Sequence, residues 1–170
     1  NCTIYDAADS KNLLKGISKE MNLDDKVYKP GMIQSRISNA KNQLVLPQAY
    51  AANGEFFLAD QAAKIPLMRD IYLRYWERCK QSDAMDFDDL LVYTYLLFQQ
   101  HPEVCEKYAG RFNYILVDEY QDTNYAQHAI VQQLTQINRR VCVVGDDAQS
   151  IYSFRGAKRD NILKFTQLYK

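Results

Sequence analysis

The sequence predicts an α/β protein in which a mostly helical first half precedes a smaller half built on parallel strands. Through the first half, apolar residues recur at the 3.6-residue period of amphipathic helices. In the second half, two short apolar runs, 112–117 and 141–144, flank a helical stripe. A strand–helix–strand order implies a parallel pair joined by a right-handed crossover. We therefore expect two lobes, residues 1–85 and residues 86–170.

The first half is predicted as helices separated by polar breaks. We expect Asp9 to cap the first helix and the Pro30-Gly31 break to precede a second one. Pro66 is expected to open a third, because proline fits the first helical turn. The predicted core positions of these helices are Leu13, Leu14, Ile17 and Met21; Ile33, Ile37, Ala40 and Leu44; and Leu67, Ile71, Tyr75 and Cys79.

The second lobe is expected to begin with Asp86 as the cap of a helix, followed by another helix between Pro102 and Gly110. The inward positions predicted for the first of these helices are Phe87, Leu90, Leu91, Tyr95 and Phe98. The carboxylates of Asp86, Asp88 and Asp89 form a candidate metal site, but a helix cap followed by an exposed turn is the favoured interpretation.

The composition says little about binding partners and more about the cellular compartment. Lys and Arg balance Asp and Glu at 21 each, so net charge indicates neither nucleic acid nor a membrane surface. The four cysteines form no CxxC pair, which favours reduced thiols in a cytoplasmic protein. Apolar runs are far shorter than a membrane span of roughly 18 residues. The polar start, Asn1-Cys2-Thr3, suggests a segment excised from a longer chain.

Adjacent carboxylates follow the first predicted strand, at Asp118 and Glu119. Open parallel sheets present their chemistry at the carboxyl ends of strands. One carboxylate could there face a magnesium ion while the other orients a water for in-line attack on a phosphate. A bare acidic pair more commonly only ends a strand and caps the next helix, so the longer sequence around it has to decide.

That longer sequence resembles a known family. Residues 118–123, DEYQDT, are similar to motif II of superfamily 1 DNA helicases of the UvrD/PcrA/Rep type, and residues 143–157, VVGDDAQSIYSFRGA, are similar to their motif III. Residues 85–91 resemble the DFDDL segment that precedes motif II. The stretch from Ile4 to Leu13 resembles the start of the helical subdomain inserted into the first RecA-like domain of this family.

The resemblance implies an ATP-dependent motor that moves along single-stranded DNA and opens duplexes. By resemblance, Asp118 coordinates Mg²⁺, Glu119 is the general base that orients water, and Gln149 senses the γ-phosphate. A neutral amide suits that sensor, because it loses its contact after hydrolysis without leaving a buried charge. The expected cofactors of the full-length protein are ATP and Mg²⁺, and its expected partners are single-stranded DNA and single/double-strand junctions.

The loop after Gln149 is expected to bind DNA. By resemblance, Tyr152 and Phe154 stack on bases, and Arg155 binds DNA or pairs with a neighbouring acid. Aromatic rings accept any base, because every base has a π face. Family members often carry Trp where this sequence has Phe154, and the smaller ring should still stack.

No G-x-x-x-x-G-K-[ST] sequence occurs, so the resemblance implies an incomplete RecA-like lobe of the P-loop NTPase type without its phosphate-binding loop. The isolated chain is therefore expected to hold no cofactor and to be inactive. The strand at 141–144 would be an exposed edge, which favours self-association. A helicase–nuclease of the RecB/AddA type and a noncatalytic DNA-binding module remain as alternatives.

Overall fold

The computed structural model describes residues 1–111, 115–117, 124–136 and 141–143. The chain divides into two compact units, Asn1–Lys41 with Val45–Leu90 and Asn42–Leu44 with Leu91–Lys170. The described helices and strands are β1 (Thr3–Tyr5), α1 (Ala7–Glu20), α2 (Pro30–Asn42), α3 (Pro47–Ala52), α4 (Gly54–Ala62), α5 (Met68–Gln81), β2 (Ala84–Asp86), α6 (Phe87–Gln100), α7 (Pro102–Arg111), β3 (Ile115–Val117), α8 (Tyr125–Thr135) and β4 (Val141–Val143).

Helix α1 begins earlier than its sequence pattern predicts. Asp6, not Asp9, is the N-cap, and its side chain accepts from the amide of Asp9 at 2.8 Å. Asp9 returns the contact by accepting from the amide of Asp6 at 3.1 Å, which completes a capping box. The expectation for Asp9 was wrong because two acids three residues apart can both take part in the cap.

The core of the first unit forms around α5, which packs against α1 and α3. Ile71, Tyr75 and Cys79 are buried, as the helical period predicts, and Tyr72 is buried beside them. The predicted core position Leu67 is instead 39% exposed, because it lies at the N-cap position before the helix. The expectation that Pro66 opens this helix was wrong, since α5 begins at Met68. The other fully buried members of this core include Leu14, Ile17, Ile33, Ile65 and Met68.

A short parallel pair of strands, not foreseen in the sequence, brings the beginning and end of the first unit together. Strand β1 pairs with β2 in parallel, with Thr3 opposite Ala84 and Tyr5 opposite Asp86. The amide of Thr3 also donates to the carbonyl of Asp83 at 2.9 Å. Three-residue strands are too short to show the alternation by which strands are recognised.

In the second half, β3 and β4 pair in parallel, with Ile115 opposite Val141 and Val117 opposite Val143. The predicted strand–helix–strand order is therefore confirmed, with α8 as the helix of the crossover. Helix α6 differs from expectation, because Phe87 is 63% exposed and Leu90 is 42% exposed. The observed architecture is α/β, mostly helical, with small parallel sheets.

Candidate functional site

The residues predicted to carry the chemistry all lie outside the described part of the chain. They are Asp118, Glu119, Gln149, Tyr152, Phe154 and Arg155. Their predicted roles therefore rest on the sequence. The described residues contribute the frame on either side of them.

The frame begins with the two parallel strands. Strand β3 ends at Val117, and β4 ends at Val143 directly opposite it. Because the strands run in the same direction, their carboxyl ends open onto one edge of the sheet. The acidic pair follows β3 in the sequence, and the glutamine-containing stretch follows β4. The topology thus starts both segments from one edge, the usual location of ligand sites in open parallel sheets.

The acidic segment is followed in the sequence by the first turn of α8. Asn124 is 3% exposed and caps this helix, since its Oδ1 accepts from the amide of Gln127 at 2.9 Å. The side chain of Gln127 accepts from the amide of Asn124 at 3.1 Å, so a capping box closes the turn. The Nδ2 of Asn124 donates to Oδ1 of Asn42 at 2.9 Å.

Helix α8 is also fixed near its other end. Gln133 donates through Nε2 to the carbonyl of Tyr95 at 3.1 Å. The buried thiol of Cys105 donates to the carbonyl of Gln133 at 3.5 Å, and α7 packs along α8. These contacts join α8 to α6 and α7 within the second unit.

The strongest electrostatic feature of the first unit is a buried ammonium between two carboxylates. Lys41 is 1% exposed, and its Nζ lies 2.7 Å from Oδ2 of Asp86 and 2.8 Å from Oδ1 of Asp89. The hydroxyl of Tyr75 donates to the same oxygen of Asp86 at 2.8 Å and lies 3.0 Å from Oγ of Ser10. Since Tyr75 has one proton to donate, Ser10 is the donor in the second contact.

Charge pairing offsets the burial of this cluster. Burial by itself would lower the pKa of Lys41, but attraction to Asp86 and Asp89 reverses the effect and raises it. Burial would likewise raise the pKa of Asp86, but Lys41 and the hydrogen bond from Tyr75 lower it. Asp89 has no such tyrosine, and burial together with the charge of Asp86 leaves its pKa raised despite Lys41.

The same two carboxylates organise the start of α6. Asp86 accepts from the amide of Asp89 at 2.8 Å, and Asp89 accepts from the amide of Asp86 at 3.0 Å. The predicted capping role of Asp86 is confirmed. The expectation that Asp89 lies on an exposed turn was wrong, because it is 3% exposed and paired with Lys41. Sequence reasoning missed Lys41, although it follows Ile37 by four residues on the same face, because a lysine is seldom buried.

A second buried carboxylate, on α4, joins this helix to α2 and α3. Asp60, 2% exposed, accepts from Nη1 of Arg36 at 2.8 Å and from the hydroxyl of Tyr50 at 2.7 Å. Burial raises the pKa of Tyr50 well above its ordinary value, and the hydrogen bond to Asp60 raises it further. Both clusters hold helices of the first unit together.

Among the residues that the structure describes, no three His, Cys, Asp or Glu side chains come together in a way that could hold a metal ion. Across the same residues, every helix is too short or too polar to span a bilayer.

The chain belongs to the UvrD/REP helicase N-terminal domain family, whose sequence model matches residues 1–170. It is 44% identical over 171 residues to the ATP-dependent DNA helicase PcrA of Bacillus subtilis (strain 168). It is 41% identical over 169 residues to the proteins of the same name from Leuconostoc citreum and Staphylococcus aureus (strain Mu50). The alignments cover 99% of this chain and 22% of each relative, so the chain spans under a quarter of their length.

Proposed function

We propose that this chain is part of an ATP-dependent DNA helicase that couples ATP hydrolysis to movement along single-stranded DNA and to duplex unwinding, in DNA repair or replication. The observation that carries the proposal is the parallel pairing of β3 with β4 in a chain that belongs to a helicase domain family. That pairing starts the two recognised motifs from one sheet edge. The names of the relatives support the same activity.

In this proposal the second unit belongs to the first RecA-like domain, and the first unit is a helical subdomain inserted into it. The sequence pattern predicts a division between residues 85 and 86, and the compact units separate after Leu90. The parallel pair β3–β4 with its crossover helix α8 is compatible with an incomplete lobe of this type. A motor acting on chromosomal DNA would work in the cytoplasm.

The proposed chemistry requires two acids with different tasks. Asp118 would hold Mg²⁺, since carboxylate oxygens are its preferred protein ligands. The metal, when bound, neutralises charge on the phosphates. Glu119 would orient and deprotonate the attacking water, and Gln149 would donate to the γ-phosphate. A chain without a phosphate-binding loop should bind ATP negligibly, so these roles belong to the full-length protein.

Single-stranded DNA would bind the segment that follows Gln149. Tyr152 and Phe154 would stack on bases, each contributing about 1–3 kcal/mol, and Arg155 would add a charged contact. Junctions between single and double strands are the expected substrates of unwinding. Few residues separate Gln149 from Tyr152, so loss of the γ-phosphate contact should alter the affinity for single-stranded DNA.

The experiment compares full-length wild-type protein with its Glu119→Gln variant. The variant should bind ATP with unchanged affinity yet lose at least about a hundredfold in kcat, because basicity at the water is removed while shape is kept. Glu103→Gln, at an exposed position on α7, is the matched control and should keep wild-type turnover. Normal steady-state ATPase in Glu119→Gln would refute the assigned role.

A second arm tests the proposed DNA contacts. Replacing Tyr152 and Phe154 together by Ala should weaken single-strand binding by a few kcal/mol and reduce DNA stimulation of the ATPase. Tyr125→Phe, a change at an exposed ring on α8, should do neither. Unchanged affinity for an oligothymidine in the double variant would rule out stacking at these rings.

A further inference from the structure

Helix α4 of the first unit has the composition of a buried helix but the exposure of a surface helix. Phe56, Phe57 and Leu58 follow one another in it, and its only ionisable side chains are those of Glu55 and Asp60. Helices that are apolar around most of their circumference are normally buried. In α4, however, Asp60 is the one buried residue. The helix is therefore inverted, with a carboxylate as its innermost side chain.

The inward contacts of α4 fix this orientation. Asp60 accepts from Arg36 at 2.8 Å and from Tyr50 at 2.7 Å. The ring of Phe56 stacks on the ring of Tyr50, with 4.5 Å between their centroids. Leu58 lies two residues from both Phe56 and Asp60, which is about 200° around a helix from each of them. Its side chain therefore points away from the core of this unit, and it is 65% exposed.

The exposed apolar surface continues from α4 onto α5. Phe57 is half-buried, and the guanidinium of Arg69 on α5 lies 4.9 Å from the centroid of its ring. Leu73 follows Arg69 by one helical turn and is 42% exposed, and Ala62 follows Leu58 by one turn and is also exposed. These five residues form the α4–α5 face. Aromatic residues and arginine are enriched in the interfaces between proteins, and exposed apolar patches mark such interfaces.

The charges on and around the α4–α5 face indicate the partner. Three acidic and three basic residues lie there, all of them exposed: Glu55, Asp70 and Glu77, and Lys64, Arg69 and Arg74. A surface that recognises a partner of opposite charge carries mainly one sign. A surface with both signs in equal number can complement a second copy of itself, because a twofold axis places each residue opposite a different residue of the other copy. Charge complementarity therefore favours a second copy of this chain.

We propose that the α4–α5 face is a symmetric interface through which two copies of the full-length protein associate. Removal of Leu58 and Leu73 from water drives the association. The face has fewer residues than the roughly 20–30 per side of a stable interface, so the dimer is weak and forms as the protein concentration rises. This inference goes beyond the proposed function, because it requires neither ATP nor DNA.

Sedimentation velocity of the full-length protein tests the proposal at about 1–100 μM, where weak interfaces assemble. The mean mass of the wild type should rise from one copy toward two. Leu58→Glu should weaken the dimer about tenfold for each substituted copy, and therefore about a hundredfold when both copies carry it. A mixed dimer with one wild-type copy should show the tenfold effect. The control Asn12→Glu adds the same charge at an exposed position of α1 and should associate like the wild type.

A second variant, Leu73→Glu, tests the part of the face that α5 contributes. It should weaken the dimer as Leu58→Glu does, and circular dichroism should show both variants folded, since both side chains are exposed. A wild type that stays monomeric throughout would overturn the proposal, because the face would then serve another partner. Variants that associate as tightly as the wild type would overturn it too, since the dimer would use another surface. Equal weakening by Asn12→Glu would also overturn it, because net charge alone would explain the loss.

Discussion

Replacing Lys41 by Met removes the cation from the buried cluster while keeping most of the volume of the side chain. Asp86 and Asp89 then remain buried together, and only Asp86 keeps its hydrogen bond from Tyr75. Breaking a buried ion pair from one side costs about 3–5 kcal/mol, because the remaining charge is left uncompensated. Exposed pairs contribute at most about 1 kcal/mol, so burial decides the magnitude.

A loss of this size is large against the total stability of a domain, about 5–15 kcal/mol. At roughly 2–4 °C per kcal/mol for a chain of this length, the melting temperature should fall by at least about 6 °C. Circular dichroism melts of the chain measure it, with Lys15→Met on the exposed face of α1 as the control. A melting temperature within about 2 °C of the control would show that the cluster does not stabilise the fold.

The pH dependence provides a second signature of the same cluster. The pKa of Lys41 is raised in the folded protein. The contribution of its charge to stability is therefore fully present at pH values below the ordinary pKa of 10.5, and it is lost as pH rises through the higher folded pKa. In Lys41→Met, burial and mutual repulsion raise the pKa of both carboxylates. Protonation then favours the folded state, so the deficit should be largest near neutral pH and should shrink as pH falls toward about 4. A deficit that grew on acidification would contradict this account.

Two further predictions concern other buried groups. Tyr50→Phe should lower the free energy of unfolding by about 1.5–3 kcal/mol, because Asp60 loses a charge-assisted hydrogen bond and keeps only Arg36. Urea titrations measure this loss, and the control Tyr125→Phe should have no effect. Equal unfolding midpoints for the two variants would count against the Asp60 network. Burial raises the pKa of Cys79 to about 11, so at pH 8 iodoacetamide should modify exposed Cys2 well before Cys79. Peptide mapping of the native protein measures the two rates, and equal rates would contradict the buried position of Cys79.

The sequence predicted those features of the fold that repeat along the chain. The helical periods located α1, α2 and α5, and the two apolar runs located the parallel pair β3–β4. Positions that interrupt a period were less accurate, because a cap such as Asp6 and an exposed residue such as Leu67 differ from their neighbours only in local geometry.

Contacts between distant residues could not be predicted in this way. Lys41 lies 45 residues from Asp86, and Asn42 lies 82 residues from Asn124. A lysine in a helix usually extends its charge into water, so its burial follows only from the acids that tertiary packing places beside it. The capping pattern at Asp86 was readable because both of its members lie within one turn. The roles of Glu119 and Gln149 stay predictions based on motif resemblance.

The pairing of β1 with β2 has a consequence for how such a chain can change in evolution. Tyr5 and Asp86 are register partners in neighbouring strands. The backbone leaves the sheet after Tyr5, and at Asp86 it is again beside Tyr5, about 4.8 Å away. The chain between these two residues is an excursion from the sheet. It starts and ends at nearly the same place, and the backbone runs in the same direction at both points. Such an excursion can lengthen, shrink or be exchanged while the flanking chain keeps its path.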